Sequence, residues 1–515
     1  MHTHHEPYVD WTIAGRLLRS GQGCQSHPGE EAGMIRSINF RLNETDYRIS
    51  IREEALALDW IRNEAGLKGT KEGCREGDCG ACLVLLGGRG PDGATEWRSV
   101  TSCTLALGEL DGRHVVTIEG LAAAGLTPVM EAMLDEGASQ CGFCSPGFIL
   151  ALTGYLVSGA RVDPVEAMVA VEGNLCRCTG YGSIRRAAAR LAAEFQGLPA
   201  GLVERLAALA ERKVLPAGLA SLMAAPPEHA SRHAVDTEDA PGQKAGFVIG
   251  GGTDYFVRNP DPEPGLAPSF SDRGPEARVI GEFIEGGRIM VRLGAAVNAT
   301  DFFASPVVRR AAPGIERHEV EVASPPIRNR ATLAGNIVNA SPIADMTAML
   351  IALGARLELE GATGERVVAL EDFYLGYKKI DLHPGEQVTG ILFEGGWNRF
   401  AFEKAAKRER LDIATVNCAV AVRLAADGTI SEARYSAGGV AATPLRLRDA
   451  EAALTGRKPS AALARTLGTL AAGAGSPMSD VRGSSTYRKR LLERLAWAAC
   501  CRLWPELRLE EELLA

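Results

Sequence analysis

The stretch KEGCREGDCGAC, residues 71–82, sets three cysteines in a tight loop interleaved with glycines, and a fourth follows in SC at 102–103. Cys74, Cys79, Cys82 and Cys103 therefore read C-x4-C-x2-C-x20-C, the plant-type spacing for a 2Fe-2S cluster. Soft, anionic thiolates are strong iron donors, and three can converge from one loop only where the backbone reaches unusual dihedrals. Gly73, Gly77 and Gly80 permit those dihedrals and let main-chain N–H groups approach the sulfurs. A four-thiolate zinc site is the alternative, although C-x4-C-x2-C fits zinc-ribbon spacing poorly.

Outward from this loop the chain alternates as strands do. Upstream, IRSINFRLNE and YRISIRE read as a hairpin turning at Asn43-Glu44, and a helix is expected over Ala57 to Glu64, closed by Gly66. Downstream, ACLVLL and HVVTIEG read as two further strands, so residues 34–119 are expected to form a small grasp-like sheet around the loop. Residues 1–33 read as a solvated tail despite His2, His4 and His5, and Met34 directly precedes the first strand as an alternative start.

After Gly120 the pattern turns helical. Pro128 sits near one helix start, Ser145 is a candidate N-cap before Pro146, and Asp163-Pro164 with Glu166 and Gly173 frames a third helix. SIRRAAARLAAEF supplies the fourth, so 120–195 reads as a four-helix bundle. CGFC and CRC in its turns make a second quartet, Cys141, Cys144, Cys176 and Cys178. Taken alone, C-x2-C followed by C-x-C is a spacing that zinc could also adopt. Disulfides are the other alternative, but MHTHHEPYVDWTIAGRLL lacks a basic stretch followed by an apolar one, so a cytoplasmic location and metal-bound cysteines are expected. The remaining Cys24, Cys418, Cys500 and Cys501 read as structural.

At 515 residues the chain exceeds one core, and several domains are expected. A net charge of −8 argues against nucleic acid as a partner, and no run of 18 uncharged apolar residues points to a membrane span. Residues 196–243, rich in Ala, Pro and charge, read as a surface linker. Beyond it, short strands and helices alternate in two α+β parts, 244–396 and 397–515, dividing near Trp397. VIGGGTDYFV carries three glycines whose N–H groups could cradle a pyrophosphate, with a helix starting there to add its dipole. Tyr255 occupies the last glycine place of G-x-G-x-x-G, and no acidic strand end follows, which disfavours a dinucleotide-binding βαβ unit. ATLAGNIVNASPIAD adds a Gly-Asn turn and a Ser-Pro helix start, and KRERLDI reads either as a contact for nicotinamide phosphate or as a solvated charged face.

KEGCREGDCGAC, QCGFCSPGFI and GNLCRCTGYGSI together resemble the two-cluster domain of the molybdenum hydroxylase family, over residues 34–195. VIGGGTDYFV, ATLAGNIVNASPIAD, FEKAAKRERLDIATV and SPMSDVRGSSTYRKRLLERL resemble its flavin domain. The resemblance implies a multidomain α+β fold: a ferredoxin-like β-grasp domain, a four-helix 2Fe-2S bundle and an α+β FAD-binding domain with a C-terminal α+β subdomain. It implies that Gly250, Gly251, Gly252, Thr253 and Asp254 hold the FAD pyrophosphate, that Thr332, Gly335, Asn336 and Asp345 hold the rest of the cofactor, and that Lys404 lies near the flavin edge. Two departures stand out. Ala334 replaces the first glycine of a Gly-Gly-Asn found in many relatives, and Glu321 to Ser324 offers no aromatic side chain where the family often has one.

The function implied is that of the small iron-sulfur/FAD subunit of bacterial xanthine dehydrogenases. Electrons would pass from a molybdenum cofactor on a larger partner chain, through two 2Fe-2S clusters, to FAD and then NAD, in an assembly of two small and two large chains. The sequence ends about where the molybdenum-binding part would begin. The same layout would serve a hydroxylase of an aldehyde or N-heterocycle, and an electron carrier or redox sensor is the alternative of another class.

Overall fold

The first sheet forms around β1 (Ile35–Leu42) and β2 (Thr45–Arg52), paired from Ile35↔Arg52 to Leu42↔Thr45 in the computed structural model. Asn43 turns the hairpin at φ 55°, a left-handed conformation that asparagine tolerates. Alternate residues Ile38, Phe40 and Leu42 are buried, as a strand with one covered face requires. Helix α1 (Ala57–Asn63) covers that face, and β3 (Leu83–Arg89), β4 (Thr95–Thr101) and β5 (His114–Val116) complete the order β2-β1-β5-β3-β4, with only β1 and β5 parallel. Strand β4 escapes the sequence reading because TEWRSVT hardly alternates in polarity. Its Arg98 faces Asp301, some two hundred residues on, rather than a core or water. HVVTIEG is strand only to Val116, since Asn43 Oδ1 accepts from Thr117 N at 2.9 Å and helix α2 (Ile118–Ala122) follows. The structure describes residues 35–159, 161–225, 227, 248–262, 269–270, 274 and 276–513, so the expectations for His2, His4, His5, Cys24 and the tail lie outside the described residues.

Helices α3 (Pro128–Asp135), α4 (Ser145–Val157), α5 (Pro164–Ala170) and α6 (Gly182–Glu194) make the bundle. Asp163 caps α5 as expected, accepting from Val165 N at 2.9 Å and Glu166 N at 3.0 Å. Cys144, not Ser145, takes the N-cap place of α4, and Ser145 Oγ instead meets Ser139 Oγ at 2.7 Å. From Gly147 to Val157 α4 is buried along its whole length and forms the centre of this layer.

The surface linker expected over 196–243 is corrected in its first part. Residues 202–224 form α7 (Leu202–Glu211) and α8 (Ala217–Ala224), whose Leu206, Leu209, Leu219 and Met223 enter the same core as α4. Alanine favours helix, and the leucines recur at helical spacing; composition masked that period. Trp97 Nε1 donates to Met223 O at 3.1 Å and Arg205 Nη1 to Leu156 O at 2.9 Å, which fastens both helices to the sheet and bundle.

The flavin-like half opens with β6 (Val248–Ile249), α9 (Tyr255–Arg258) and β7 (Ser269–Phe270), where β6 and β7 pair in parallel. Then come β8 (Ile280–Glu285), β9 (Arg288–Gly294), α10 (Ala299–Ala304), α11 (Pro306–Ala311), α12 (Pro325–Arg328), α13 (Leu333–Val338) and α14 (Asp345–Ala352). Strands β10 (Arg356–Gly361) and β11 (Gly364–Ala369), the hairpin β12 (Tyr374–Gly376) and β13 (Lys379–Ile380), and β14 (Gln387–Glu394) follow. An antiparallel sheet runs β11-β10-β14-β9-β8. A separate sheet starts after Trp397: β15 (Arg399–Ala405), β16 (Val416–Leu424), β17 (Ile430–Gly438) and β18 (Leu445–Arg446), backed by α15 (Arg448–Leu454), α16 (Ala461–Gly473) and α17 (Ser485–Leu503), with α18 (Leu509–Leu513) last. Cys418 and Cys500 are buried in its core and Cys501 is half-buried.

Candidate functional site

All eight cysteines of the two quartets are free thiols, and they meet in pairs. Cys178 Sγ lies 3.6 Å from Cys141 Sγ in the second quartet, and Cys74 with Cys79, Cys82 with Cys103 and Cys144 with Cys176 stand close enough to shift one another's titration. Among the described residues no group of three or more His, Cys, Asp or Glu is set to hold a metal ion as it stands. Pairwise approach is what a two-iron cluster asks for, two thiolates to each iron, whereas a structural zinc needs four donors around one point. The donor set therefore fits a 2Fe-2S group in each quartet.

Local electrostatics favour one thiolate in each pair, lowering Cys74, Cys82, Cys141 and Cys176 and raising their partners. The hydrogen bond from Cys79, with the N–H groups of Glu76, Cys79 and Asp78, pulls Cys74 down to about 5, and the same bond pushes Cys79 up. Cys141 is lowered first by the N–H of Phe143 and then by Cys178. Each pair holds a proton more readily than two charges, and iron binding would displace it. Thr179 Oγ1 donates to Cys176 Sγ at 3.2 Å, and Cys176 N to Tyr181 Oη at 3.0 Å, so the CRC turn is braced by residues just after it.

The two ligand loops touch. Leu175 N donates to Cys79 O at 3.0 Å, and Asn174 Nδ2 donates to Gly80 O at 3.2 Å, which joins the residue before Cys176 to a ligand of the first quartet. A Cβ on Gly147 would fall 2.1 Å from Gly80 O, and one on Gly80 2.4 Å from Gly173 O, so the approach depends on absent side chains. Helix α12 closes the other side: positions for a Cβ on Gly77 and Gly173 lie 2.8 Å from Ile327 Cδ1 and from Pro326 Cδ. Ile327 is not singled out by the sequence, and Asn174 and Leu175 enter only as letters of GNLCRCTGYGSI with no role of their own, because nothing local marks a residue whose partner lies some ninety or more positions away.

The residues expected to hold a flavin fall into two sets. Gly250 and Gly251 pack on Arg330–Thr332, with a Cβ on Gly250 2.4 Å from Thr332 Oγ1 and one on Gly251 1.8 Å from Arg330 O, while Gly252 faces the Phe256 ring. Gly252 is left-handed at φ 70°. Thr253 is half-buried, while Asp254 is exposed, pairing with Arg258 at 3.0 Å and accepting from Asn339 Nδ2 at 3.2 Å. Arg330, unremarked in the sequence reading, donates to Gly251 O at 2.6 Å, Thr104 O at 2.9 Å and Glu109 Oε1 at 2.8 Å, and so pins the glycine loop to the first sheet. In the second set Lys404 Nζ lies 2.6 Å from Asp345 Oδ2 and 2.8 Å from Glu321 O, and Asn417 Nδ2 is 2.6 Å from Asp345 Oδ1. Burial raises the Asp345 pKa against the opposing pull of Lys404.

Three local expectations change. Gly335-Asn336 lies within α13, capped by Thr332 Oγ1 accepting from Gly335 N at 3.0 Å, rather than in a turn, and Asn336 Oδ1 accepts from Thr347 Oγ1 at 3.2 Å. The helix after Ser341-Pro342 begins only at Asp345. Helix α9 has four residues, too few peptide dipoles for a strong field. The basic run is engaged: Arg410 pairs with Glu172 at 3.1 Å and Lys407 Nζ donates to Val481 O at 3.1 Å.

Four domain families match the chain in order: the 2Fe-2S iron-sulfur cluster binding domain at 40–107, the [2Fe-2S] binding domain at 117–189, the FAD binding domain in molybdopterin dehydrogenase at 283–393, and the CO dehydrogenase flavoprotein C-terminal domain at 401–501. The xanthine dehydrogenase of Emericella nidulans is 27% identical over 88% of this chain and 38% of its own length. The nicotinate hydroxylase of the same organism is 28% identical over 88% and 40%. The chain thus spans well under half of these relatives. A solved carbon monoxide dehydrogenase from Hydrogenophaga pseudoflava is 29% identical over 50% of this chain and 90% of that one, with a TM-score of 0.46. In order along the chain, then, two 2Fe-2S-binding domains are followed by an FAD-binding domain of the kind found in molybdopterin dehydrogenases and by the C-terminal domain of the CO dehydrogenase flavoprotein.

Proposed function

We propose that this chain carries electrons from a molybdenum-cofactor-bearing partner to FAD and on to NAD, as the electron-transfer part of a xanthine dehydrogenase. The observation that carries the proposal is the direct contact of three segments: the first cysteine loop, the turn before Cys176, and α12 beside the candidate flavin residues. Bound there, the clusters would pass single electrons and the flavin would collect two for release as hydride. The protein residues supply the route and its spacing. Cys79 O and Leu175 N join the two ligand sets by one hydrogen bond, and Gly80, Gly147 and Gly173 keep the loops from being held apart.

Within this reading, Cys74, Cys79, Cys82 and Cys103 hold one cluster and Cys141, Cys144, Cys176 and Cys178 the other. The loop Gly250–Asp254 with Thr332, Gly335 and Asn336 takes the phosphate and ribityl portion of FAD, and the Asp345–Lys404 pair faces the flavin ring. No aromatic side chain stands at Glu321–Ser324, so Val322, which is buried, supplies an apolar edge rather than a stacked ring. Cys141 and Cys178 are exposed, as are Phe143 and Tyr181 beside them, which suits the second quartet to the entry side and to contact with the larger partner. Two small and two large chains are the assembly this reading expects.

The test is coupled turnover. Alone, the chain should reduce artificial dyes with NADH and leave xanthine untouched; with the molybdenum chain it should reduce NAD with xanthine. Cys141→Ser should abolish the coupled reaction and spare the NADH-dye reaction, because the relay is needed only when electrons cross from molybdenum to flavin. Undiminished coupled turnover in that variant would remove the second quartet from the path. A second reading, hydroxylation of an N-heterocyclic carboxylate, is favoured by the nicotinate hydroxylase relative at nearly equal identity. Turnover with nicotinate but not xanthine in the reconstituted pair would select it.

A further inference from the structure

A cavity of about 260 Å³ lies where the sheet of β8–β11 and β14 meets β17 and β18, away from every residue assigned above. Ile351 and Gly354, at the C-terminal end of α14, form part of its wall, while Asp345 stands at the opposite end of the same helix. Four arginines line it: Arg288 and Arg356 from one sheet, Arg434 and Arg446 from the other.

Three of the four are engaged. Arg288 bonds Glu394 at 2.5 Å, Arg356 bonds Glu285 at 2.5 Å, and Arg446 bonds Glu371 at 3.0 Å and Glu451 at 2.9 Å. Arg434 differs. Its closest carboxylate oxygen, on Glu394, is 3.7 Å away, and its Nε is buried without a hydrogen-bond partner among the described residues. Glu394 cannot easily turn to it, because Arg288 and Arg423 already hold the other carboxylate oxygen. Gly354 makes room for the guanidinium: a Cβ there would lie 2.8 Å from Arg434 Cζ, so the side chain lies across bare backbone just past the helix end.

Nε lies against Gly354, out of reach of the cavity, but the Nη groups have no carboxylate closer than 3.7 Å, and a planar fork at the edge of a cavity is suited to two oxygens of one anion. The lining sets the charge of that anion. Counted with the groups paired to them, Arg423, Arg448, Glu432 and Glu451, six arginines stand against five glutamates, a balance of one positive charge, which accommodates a small anion and opposes a triphosphate. We propose that the cavity binds a small phosphate-type oxyanion, inorganic phosphate or a phosphate monoester, on Arg434, and that the bound anion ties the β8–β11/β14 sheet to the C-terminal sheet.

The experiment is thermal unfolding of the full chain, cofactors included, against inorganic phosphate at constant ionic strength set with chloride. The midpoint should rise saturably with phosphate and stay unchanged with chloride. Arg434→Gln should weaken phosphate at least tenfold, as loss of a charged hydrogen bond implies, and Arg434→Lys, which keeps charge but not the fork, should fall between. Phosphorus NMR of added phosphate should show line broadening with wild-type chain that Arg434→Gln removes, with folding of the variant checked by circular dichroism. AMP competing in the same experiment would identify a monoester as ligand, and its failure to compete would leave free phosphate. Absence of any phosphate effect beyond chloride in the wild type overturns the proposal, as does an equal effect in the folded Arg434→Gln chain or tighter binding of ATP than of phosphate.

Discussion

The two cysteine quartets have the same donors and opposite surroundings. Cys82 and Cys103 are 2% and 1% exposed, and their loop is covered by α12 on one side and by the bundle on the other. Cys141 and Cys178 lie open at the outer end of α4, and only Cys176 of that quartet is buried. Ligand type decides which group can bind, whereas exposure and hydrogen bonding decide its potential and what it can meet. Under the proposed function, an enclosed quartet against the FAD-binding domain and an open one at the surface would let the relay run inward, with the open quartet meeting the electron donor.

The contrast is broken or sharpened most sharply by removing one quartet at a time. With both clusters in place the chain should hold about four irons and show two rhombic EPR signals when reduced. Cys176→Ser should leave about two irons and abolish one signal entirely; zinc in place of iron, or loss of both signals, would erase the distinction between the quartets.

A second test concerns the buried Lys404–Asp345 pair, which the proposed function sets at the flavin ring. Lys404→Met leaves Asp345, which the protein buries, without its cation, and should cost about 3–5 kcal/mol in denaturant unfolding and release FAD, because an unpaired buried charge is strongly unfavourable. Equal FAD content in the variant would place the flavin elsewhere. FAD itself should come free on acid precipitation, since neither glycine segment has a His or Cys placed to attach it.

Acid should act on the enclosed side first. Burial lowers His114, on β5 next to Trp97, to about 4. The unfolded chain takes a proton near 6.5 and the folded chain does not, so this residue's contribution is full above pH 6.5 and is lost as pH falls toward 4. The loss is about 3 kcal/mol over that window. His114→Gln should flatten the pH dependence of the unfolding midpoint between those values. A profile unchanged by the substitution would assign the acid sensitivity to other groups.

The smallest effect is expected at the seam. Gly147→Ala sets a methyl against Gly80 O, and should cost about 1–3 kcal/mol by overpacking while both EPR signals persist. If the seam is the electron route, intramolecular transfer between the clusters slows in this variant even though each remains loaded.

What the sequence determined by itself was local. Spacing of cysteines, caps such as Asp163, the hairpin at Asn43-Glu44 and the proline-marked helix starts at Pro146 and Pro164 are all written within a few residues of where they act, so KEGCREGDCGAC and CGFC already stated the donor chemistry and the α+β order of the parts. Tertiary structure decided the rest. Helices α7 and α8 were hidden by an Ala- and Pro-rich composition until the core they enter was in view. Gly335-Asn336 turned from loop to helix because Thr332 caps it. The hydrogen bond from Leu175 to Cys79, the wedge of Ile327 against Gly77, and Arg330 spanning Thr104, Glu109 and Gly251 join positions far apart in the chain. A hydrogen bond or a methyl-sized gap leaves no periodic trace in sequence, because its energy depends on two surfaces that meet only after each has folded.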